Sequence, residues 1–205
     1  MITWEKLQGL IEYQDAIELM ERHLSAVLSG AEHDTIMLLE HKDVYTSGTG
    51  ANPAELLNAG GIPVIATGRG GKYTYHGPGQ RIIYPIIDLR LREKDLKLYI
   101  RQLESWIIST LRAFDVEAYT IVGKVGIWVW DHGIESKIAA IGVRVRKWVT
   151  YHGVAVNISP DLDKFRGIIP CGISDAPVTS LRKLGIEVTM DKFDIELKKQ
   201  FPFAN

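Results

Sequence analysis

Residues 137–158 read KIAAIGVRVRKWVTYHGVAVNI, two β-rich runs at 137–145 and 148–158. Side chains alternate across a strand, so in the first run Lys137, Ala139, Ile141, Val143 and Val145 share one face. Arg144 and Arg146 fall on the other face, toward water. Outward from this stretch, shorter β-rich runs occupy 35–39, 62–67, 81–88 and 125–130, several of them separated by glycine-rich turns. Two helical patterns bracket most of the strands. Tyr13, Ile17, Met20, Leu24 and Val27 recur at helical spacing with Glu18, Glu21 and Arg22 opposite, and Gly30 is a stop signal. Leu96, Ile100, Leu103, Ile107, Leu111 and Phe114 form a second apolar stripe opposite Lys97, Arg101, Glu104 and Arg112. Both stripes read as core. Thr189 can cap a last helix whose stripe is Phe193, Leu197 and Phe201. The pattern predicts an α+β layer fold, with helices packed on a mixed or antiparallel sheet. No linker or low-complexity segment divides residues 1–205, which read as a single domain.

The composition sets limits on function. With 205 residues, 46% apolar and 24% charged, the chain suits one soluble globular domain. No apolar run approaches the roughly 18 residues of a membrane span. The start, MITWEKLQGLIEYQDA, has Glu5, Lys6 and Glu12 where a signal peptide needs apolar residues. A cytoplasmic protein without membrane contact is expected. The one cysteine, Cys171, cannot form an internal disulfide, in keeping with a reducing compartment. The net charge of −1 hides an asymmetry: residues 1–60 carry ten acidic and three basic side chains, and residues 69–101 carry eight basic and three acidic. Such a middle could attract an acidic protein partner or simply form a solvated face. Nucleic acid is not expected, since aromatics do not interleave with a dense basic stripe. Nor is a metal, because the six histidines show no ligand spacing.

Three places carry chemistry. Lys137 begins an apolar strand face, where loss of hydration disfavours an ammonium and lets a lysine exchange a proton. The alternative is a strand-end lysine whose tip snorkels to solvent. Cys171 stands in Ile-Ile-Pro-Cys-Gly-Ile, where Pro170 stiffens one side and Gly172 lets backbone amides come close to a substrate. That context suits a nucleophile on a tight turn, although a lone cysteine also serves as a small buried hydrophobe. The run 68–80, Gly-Arg-Gly-Gly-Lys-Tyr-Thr-Tyr-His-Gly-Pro-Gly-Gln, is a loop able to fold closely around a ligand, and its amides could bind an anion. It matches neither a P-loop nor a dinucleotide fingerprint. Thr-Tyr-His-Gly occurs at 74–77 and again at 150–153, so two His-Gly turns could face one cleft.

Taken together, these segments resemble the lipoyl(octanoyl) transferase family. The loop at 69–80, Lys-Ile-Ala-Ala-Ile-Gly-Val-Arg-Val at 137–145, His-Gly-Val-Ala-Val-Asn at 152–157 and Pro-Cys-Gly-Ile at 170–173 follow the family's order. Val-Thr-Ser-Leu at 178–181 and Glu-His-Lys-Asp-Val-Tyr-Thr at 40–46 also fit, so the likeness covers nearly the whole chain. Ser47-Gly48-Thr49-Gly50 and Lys124-Val125 depart from the usual pattern. The resemblance implies the fold of the catalytic domains of biotin and lipoate protein ligases. It implies transfer of octanoyl from octanoyl-acyl carrier protein to a lysine of lipoyl domains, those of 2-oxoacid dehydrogenase E2 subunits and the glycine cleavage H protein. By position, Cys171 would carry the acyl thioester and Lys137 would activate it. Arg69, Gly70, Gly71, Lys72, Tyr73, Thr74, Tyr75 and His76 would line the substrate site, with Ala140, Ile141, Gly142, Gly153, Val154 and Ala155.

Passing an acyl group from a thioester to an amide is downhill, so no nucleotide or other cofactor is expected. Two rivals remain. An ATP-dependent lipoate or biotin protein ligase would share the fold but activate its acid as an adenylate, without a cysteine nucleophile. A non-enzymatic acyl-carrier binding module would bind the carrier and form no adduct on Cys171.

Overall fold

The computed structural model describes residues 2–169 and 177–203. In chain order its first half contains β1 (Ile2–Ile11), α1 (Tyr13–Ser29), β2 (Asp34–His41), β3 (Val44–Ser47), β4 (Val64–Ala66), β5 (Tyr73–His76) and β6 (Gln80–Ile86). The second half contains α2 (Leu96–Arg112), β7 (Ala118–Ile121), β8 (Lys124–Asp131), β9 (Ile134–Arg146), β10 (Val149–Asn157) and α3 (Met190–Lys199). Seven strands form one sheet in the order β1-β2-β6-β10-β9-β8-β7, and β4-β3-β5 form a small second sheet. In the large sheet only β1 and β2 pair in parallel, joined through α1, so the sheet is mixed. The α+β expectation holds.

The central strands are buried on both faces, and alternation assigns each side chain to a layer. Ile36 and Leu38 of β2, Ile83 of β6 and Val154 and Val156 of β10 pack under α2 and α3. Met37 and Leu39, Ile82, Tyr84 and Ile86, and Tyr151 and Ala155 pack under Ala16, Met20, Leu24 and Val27 of α1. Each fully buried large apolar side chain contributes about 1.5–3 kcal/mol to this two-sided core. The helix ends follow local rules. Gly30 adopts a left-handed φ of 79° and donates back to the carbonyls of Ala26 and Val27, closing α1. The Asp95 carboxylate accepts from the amides of Lys97 and Leu98 at the start of α2, and Thr189 caps α3.

Four strands are absent from the sequence reading, and each absence has a cause. β1 is an edge strand with half-exposed, charged positions, so it lacks an apolar signature. β3 and β7 span four residues each, too short for a period-2 pattern. β5 lies inside the glycine-rich run 68–80, which is therefore two turns around a strand and not one continuous loop. The second helical stripe also needs correcting. Leu103, Ile107 and Leu111 are core, whereas Leu96 is 38% exposed and opens onto a cavity.

The charge asymmetry is largely settled within the molecule. Of the basic residues in 69–101, Lys72 pairs with Glu55, Arg81 with Asp194, Arg90 with Asp88 and Arg92 with Asp34. Lys94, Lys97 and Arg101 remain exposed, and they cluster at the start of α2. No helix among the described residues is long and apolar enough to cross a membrane.

Candidate active site

A cavity of about 450 Å³ opens between the two sheets. One wall is Ala140 to Val143 of β9 with His152 to Ala155 of β10, and the facing wall is Arg69 to Thr74 with His76. Tyr13, Ile82 and Tyr84 complete the enclosure, together with Leu96, Ile100 and the β7–β8 turn from Gly123 to Val125.

The 69–72 loop is held by its own arginine. Arg69 is buried, and its guanidinium donates to the carbonyls of Gly70, Thr46 and Lys72 and to the Thr46 hydroxyl, at 2.8–2.9 Å. The amides of Gly48, Thr49 and Gly50 donate to the carbonyls of Lys72, Arg69 and Gly71. A side chain on Gly48 would stand 2.3 Å from the Gly71 oxygen, so only glycine permits this approach. The loop departure noted at 47–50 is thus the partner strip of the 69–72 loop. Arg69 shapes the cavity wall mainly by organising these backbone groups.

Among the residues expected at a substrate site, Arg69, Gly70, Gly71, Lys72, Tyr73, Thr74, His76, Ala140, Ile141, Gly142, Gly153, Val154 and Ala155 all line this cavity. Tyr75 does not. Alternation along β5 turns it the other way, where its hydroxyl donates to Asp43 at 2.6 Å and its ring packs on Tyr45 and Phe165.

Three histidines gather near the cavity; the sequence reading offered His76 and His152 to one cleft and missed His41. His76 and His152, from the two Thr-Tyr-His-Gly segments, both reach the cavity lining. His41, from the end of β2, stands 5.8 Å from His76 by ring centroids and hydrogen-bonds the Tyr84 hydroxyl at 2.8 Å. Tyr13 stacks on His76 at 6.4 Å. Burial pushes His41 down to about 4 and His76 down to about 3, where the neighbouring His41 adds to the effect. Burial, with Arg69 and Arg144 adding to it, brings His152 to about 4. Burial likewise raises Tyr13 to about 12. At neutral pH the cluster is therefore uncharged. His76 Nδ1 lies 2.7 Å from Gln80 Oε1, which makes Nδ1 the donor and leaves Nε2 an acceptor. His152 holds a φ of 57°, a strained value for a residue with a side chain. The internal echo was the available signal for His76 and His152. Among the described residues no group of three or more His, Cys, Asp or Glu is placed to hold a metal ion.

Lys137 lies beside the main cavity, behind its wall. It is 5% exposed, and its Nζ is fully buried with no hydrogen-bond partner among the described residues. The side chain lines a small second cavity with Gln80, Asn157, Phe165 and Val178. Thr74, Ala140 and Ala155 line both cavities, so three small side chains separate the amine from the larger space. Simple alternation does not describe this strand. Pairing slips between Ile127–Ala139 and Trp128–Lys137, so Ile138 is an extra residue, and Ile138 and Ala139 both enter the α2-side core. The Lys137 amide donates to the Pro177 carbonyl and its carbonyl accepts from the Thr179 amide, both at 2.9 Å. On the near side, the Ile169 amide donates to the Glu55 carbonyl at 2.8 Å. Cys171, the expected nucleophile, lies outside the described residues.

The architecture is a mixed sheet buried on both faces, with a cavity against a glycine-rich loop. The chain belongs to the lipoyl protein ligase A/B catalytic domain family, whose model matches residues 12–202. An octanoyltransferase of Rickettsia bellii is 58% identical over 204 residues, covering 98% of each chain. The octanoyltransferase of Rickettsia prowazekii is 55% identical with the same coverage. Among solved structures, a bipartite lipoate protein ligase from Thermoplasma acidophilum superposes with a TM-score of 0.73, covering 98% of this chain and 83% of that one. Its 15% identity speaks for the fold alone.

Proposed function

We propose that this chain transfers an octanoyl group from octanoyl-acyl carrier protein to a lysine of lipoyl domains, through a thioester on Cys171 with Lys137 as its proton partner. The octanoyltransferase relatives make it an acyltransferase. The finer reading is supported above all by Lys137, a buried amine with no hydrogen-bond partner among the described residues, set behind the cavity wall on a strand joined to Pro177. Burying an amine costs hydration, so such a placement beside a cavity points to function rather than stability.

In the first step the Cys171 thiol passes its proton to the Lys137 amine, and the sulfur attacks the carrier thioester carbonyl. The carrier's thiolate leaves and takes the proton back from Lys137. In the second step the acceptor lysine amine attacks the acyl-cysteine and an amide forms. The Cys171 sulfur leaves as thiolate, and the proton lost by the attacking amine passes through Lys137 to that sulfur. Protons balance over the cycle, and no nucleotide is consumed. Ile141, Val143 and Val154 offer an apolar wall to the eight-carbon tail, whose methylenes contribute about 0.8 kcal/mol each on burial. Lys94, Lys97 and Arg101 sit beside Leu96 and Ile100 of the cavity lining, where an acidic carrier or lipoyl domain would dock. The lipoyl domains of E2 subunits and of the glycine cleavage H protein are the proposed acceptors, and the cytoplasm the proposed location.

Intact-protein mass spectrometry after mixing with octanoyl-carrier tests this. One octanoyl group should appear on Cys171 and be discharged by a lipoyl domain without nucleotide. A requirement for ATP, with Cys171→Ser fully active, would establish the ligase mechanism instead.

A further inference from the structure

The amine of Lys137 reaches its place along a path built by the neighbouring strand. Lys137 and Trp128 are direct cross-strand partners, brought opposite each other by the pairing slip at Ile138. Trp128 is fully buried, and the Lys137 Nζ lies 4.8 Å from the centroid of its ring. Two residues earlier, Gly126 has a φ of 122°, and a side chain there would stand 2.7 Å from the Ala139 oxygen and 3.0 Å from the Lys137 Cε. The lysine stem therefore runs through space that Gly126 leaves open and ends against the indole. The indole is itself anchored, its Nε1 donating to the Lys124 carbonyl at 3.2 Å. With no hydrogen-bond partner among the described residues, the amine has the negative ring face to order it.

We infer that Trp128 is a positioning residue for the acyl-transfer reaction, its ring face holding the Lys137 amine in place for the proton transfer. The inference rests on the acyl-cysteine reading above and adds to it the group that orders the amine. A flat, electron-rich face suits this task. It attracts the ammonium while the proton is held, yet offers no hydrogen-bond acceptor that would compete for it.

Rapid mixing with octanoyl-carrier, followed by mass spectrometry of the adduct on Cys171, tests the inference. Trp128→Leu should slow acylation roughly tenfold while the donor KM moves by less than about threefold. Trp128→Phe, which keeps an aromatic face, should recover most of the rate. Lys137→Ala and the double variant Lys137→Ala/Trp128→Leu should be equally slow, because the indole acts through the amine. A folded Trp128→Leu protein that acylates at the native rate would overturn the inference. So would a double variant that suffers both losses in full. If Lys137→Ala itself acylates normally, the failure lies with the acyl-cysteine reading and its lysine. Should Trp128→Leu not fold, site-specific fluorinated tryptophans at 128 weaken the ring face without changing its shape. The rate should then fall stepwise with fluorine number, and a flat series would refute the role.

Discussion

Nδ1 of His76 lies 2.7 Å from Oε1 of Gln80, and the same amide's nitrogen donates onward to Asn157 at 2.9 Å. Asn157 in turn donates to the carbonyl of Thr179, whose amide is bound to Lys137. A buried row of amides thus ties the histidine cluster of the large cavity to the strand that carries the amine.

Gln80→Leu should test that row for stability. It strands the Nδ1–H of His76 and one carboxamide oxygen of Asn157 in a buried site. The loss should be about 1–3 kcal/mol by urea unfolding, and an unchanged midpoint would show that the row is not structural.

The histidines predict an acid-sensitive fold. Their folded values, about 4 for His41 and His152 and about 3 for His76, lie below the ordinary 6.5. The unfolded chain therefore binds more protons once the pH falls below 6.5. Their stabilising contribution is complete above that value and drains away down to the folded values, at most on the order of 3–5 kcal/mol for each histidine. Urea midpoints should fall steeply between these limits. In His76→Gln the slope should be shallower, and an identical slope would mean that this histidine is not held neutral.

Lys137→Met should separate stability from chemistry. Methionine keeps the length and apolar stem but removes a buried amine that has no hydrogen-bond partner among the described residues. The variant should gain ~1–3 kcal/mol in unfolding free energy while adduct formation on Cys171 falls by about a hundredfold or more. A variant both stable and fully active would remove Lys137 from the mechanism.

Ile141→Phe should alter which acyl chains are accepted. Ile141 lines the 450 Å³ cavity and is only partly buried by the core behind it. A ring there takes space from the tail, so kcat/KM for octanoyl-carrier should fall about tenfold and that for a butanoyl donor much less. Equal losses for both donors would place the tail elsewhere.

The helices were legible in the sequence because their signals are local. A stripe repeating every three to four residues, with Gly30 or Thr189 at its end, needs no knowledge of the rest of the chain. The cavity's strand walls were legible for a related reason, since the runs around Ala140 and Val154 are apolar and β-rich. The histidine cluster was legible only in part, since the repeated Thr-Tyr-His-Gly offered His76 and His152, whereas His41 joins them only when β2, β5 and β10 are brought together. Arg69 reads in sequence as a candidate contact for a ligand, yet its partners at Thr46 lie 23 positions away, in another strand.

Sequence alone determined the α+β class, the three helices and the order of the motifs. Tertiary structure alone decided that Tyr75 faces away from the cavity, that the 69–72 loop is braced from within, and that the Lys137 amine ends on the Trp128 ring. The physical reason is reach. Periodicity and capping depend on neighbours within a turn, whereas burial, a bulge such as that at Ile138 and the partner of a buried charge depend on strands that meet only in the folded sheet.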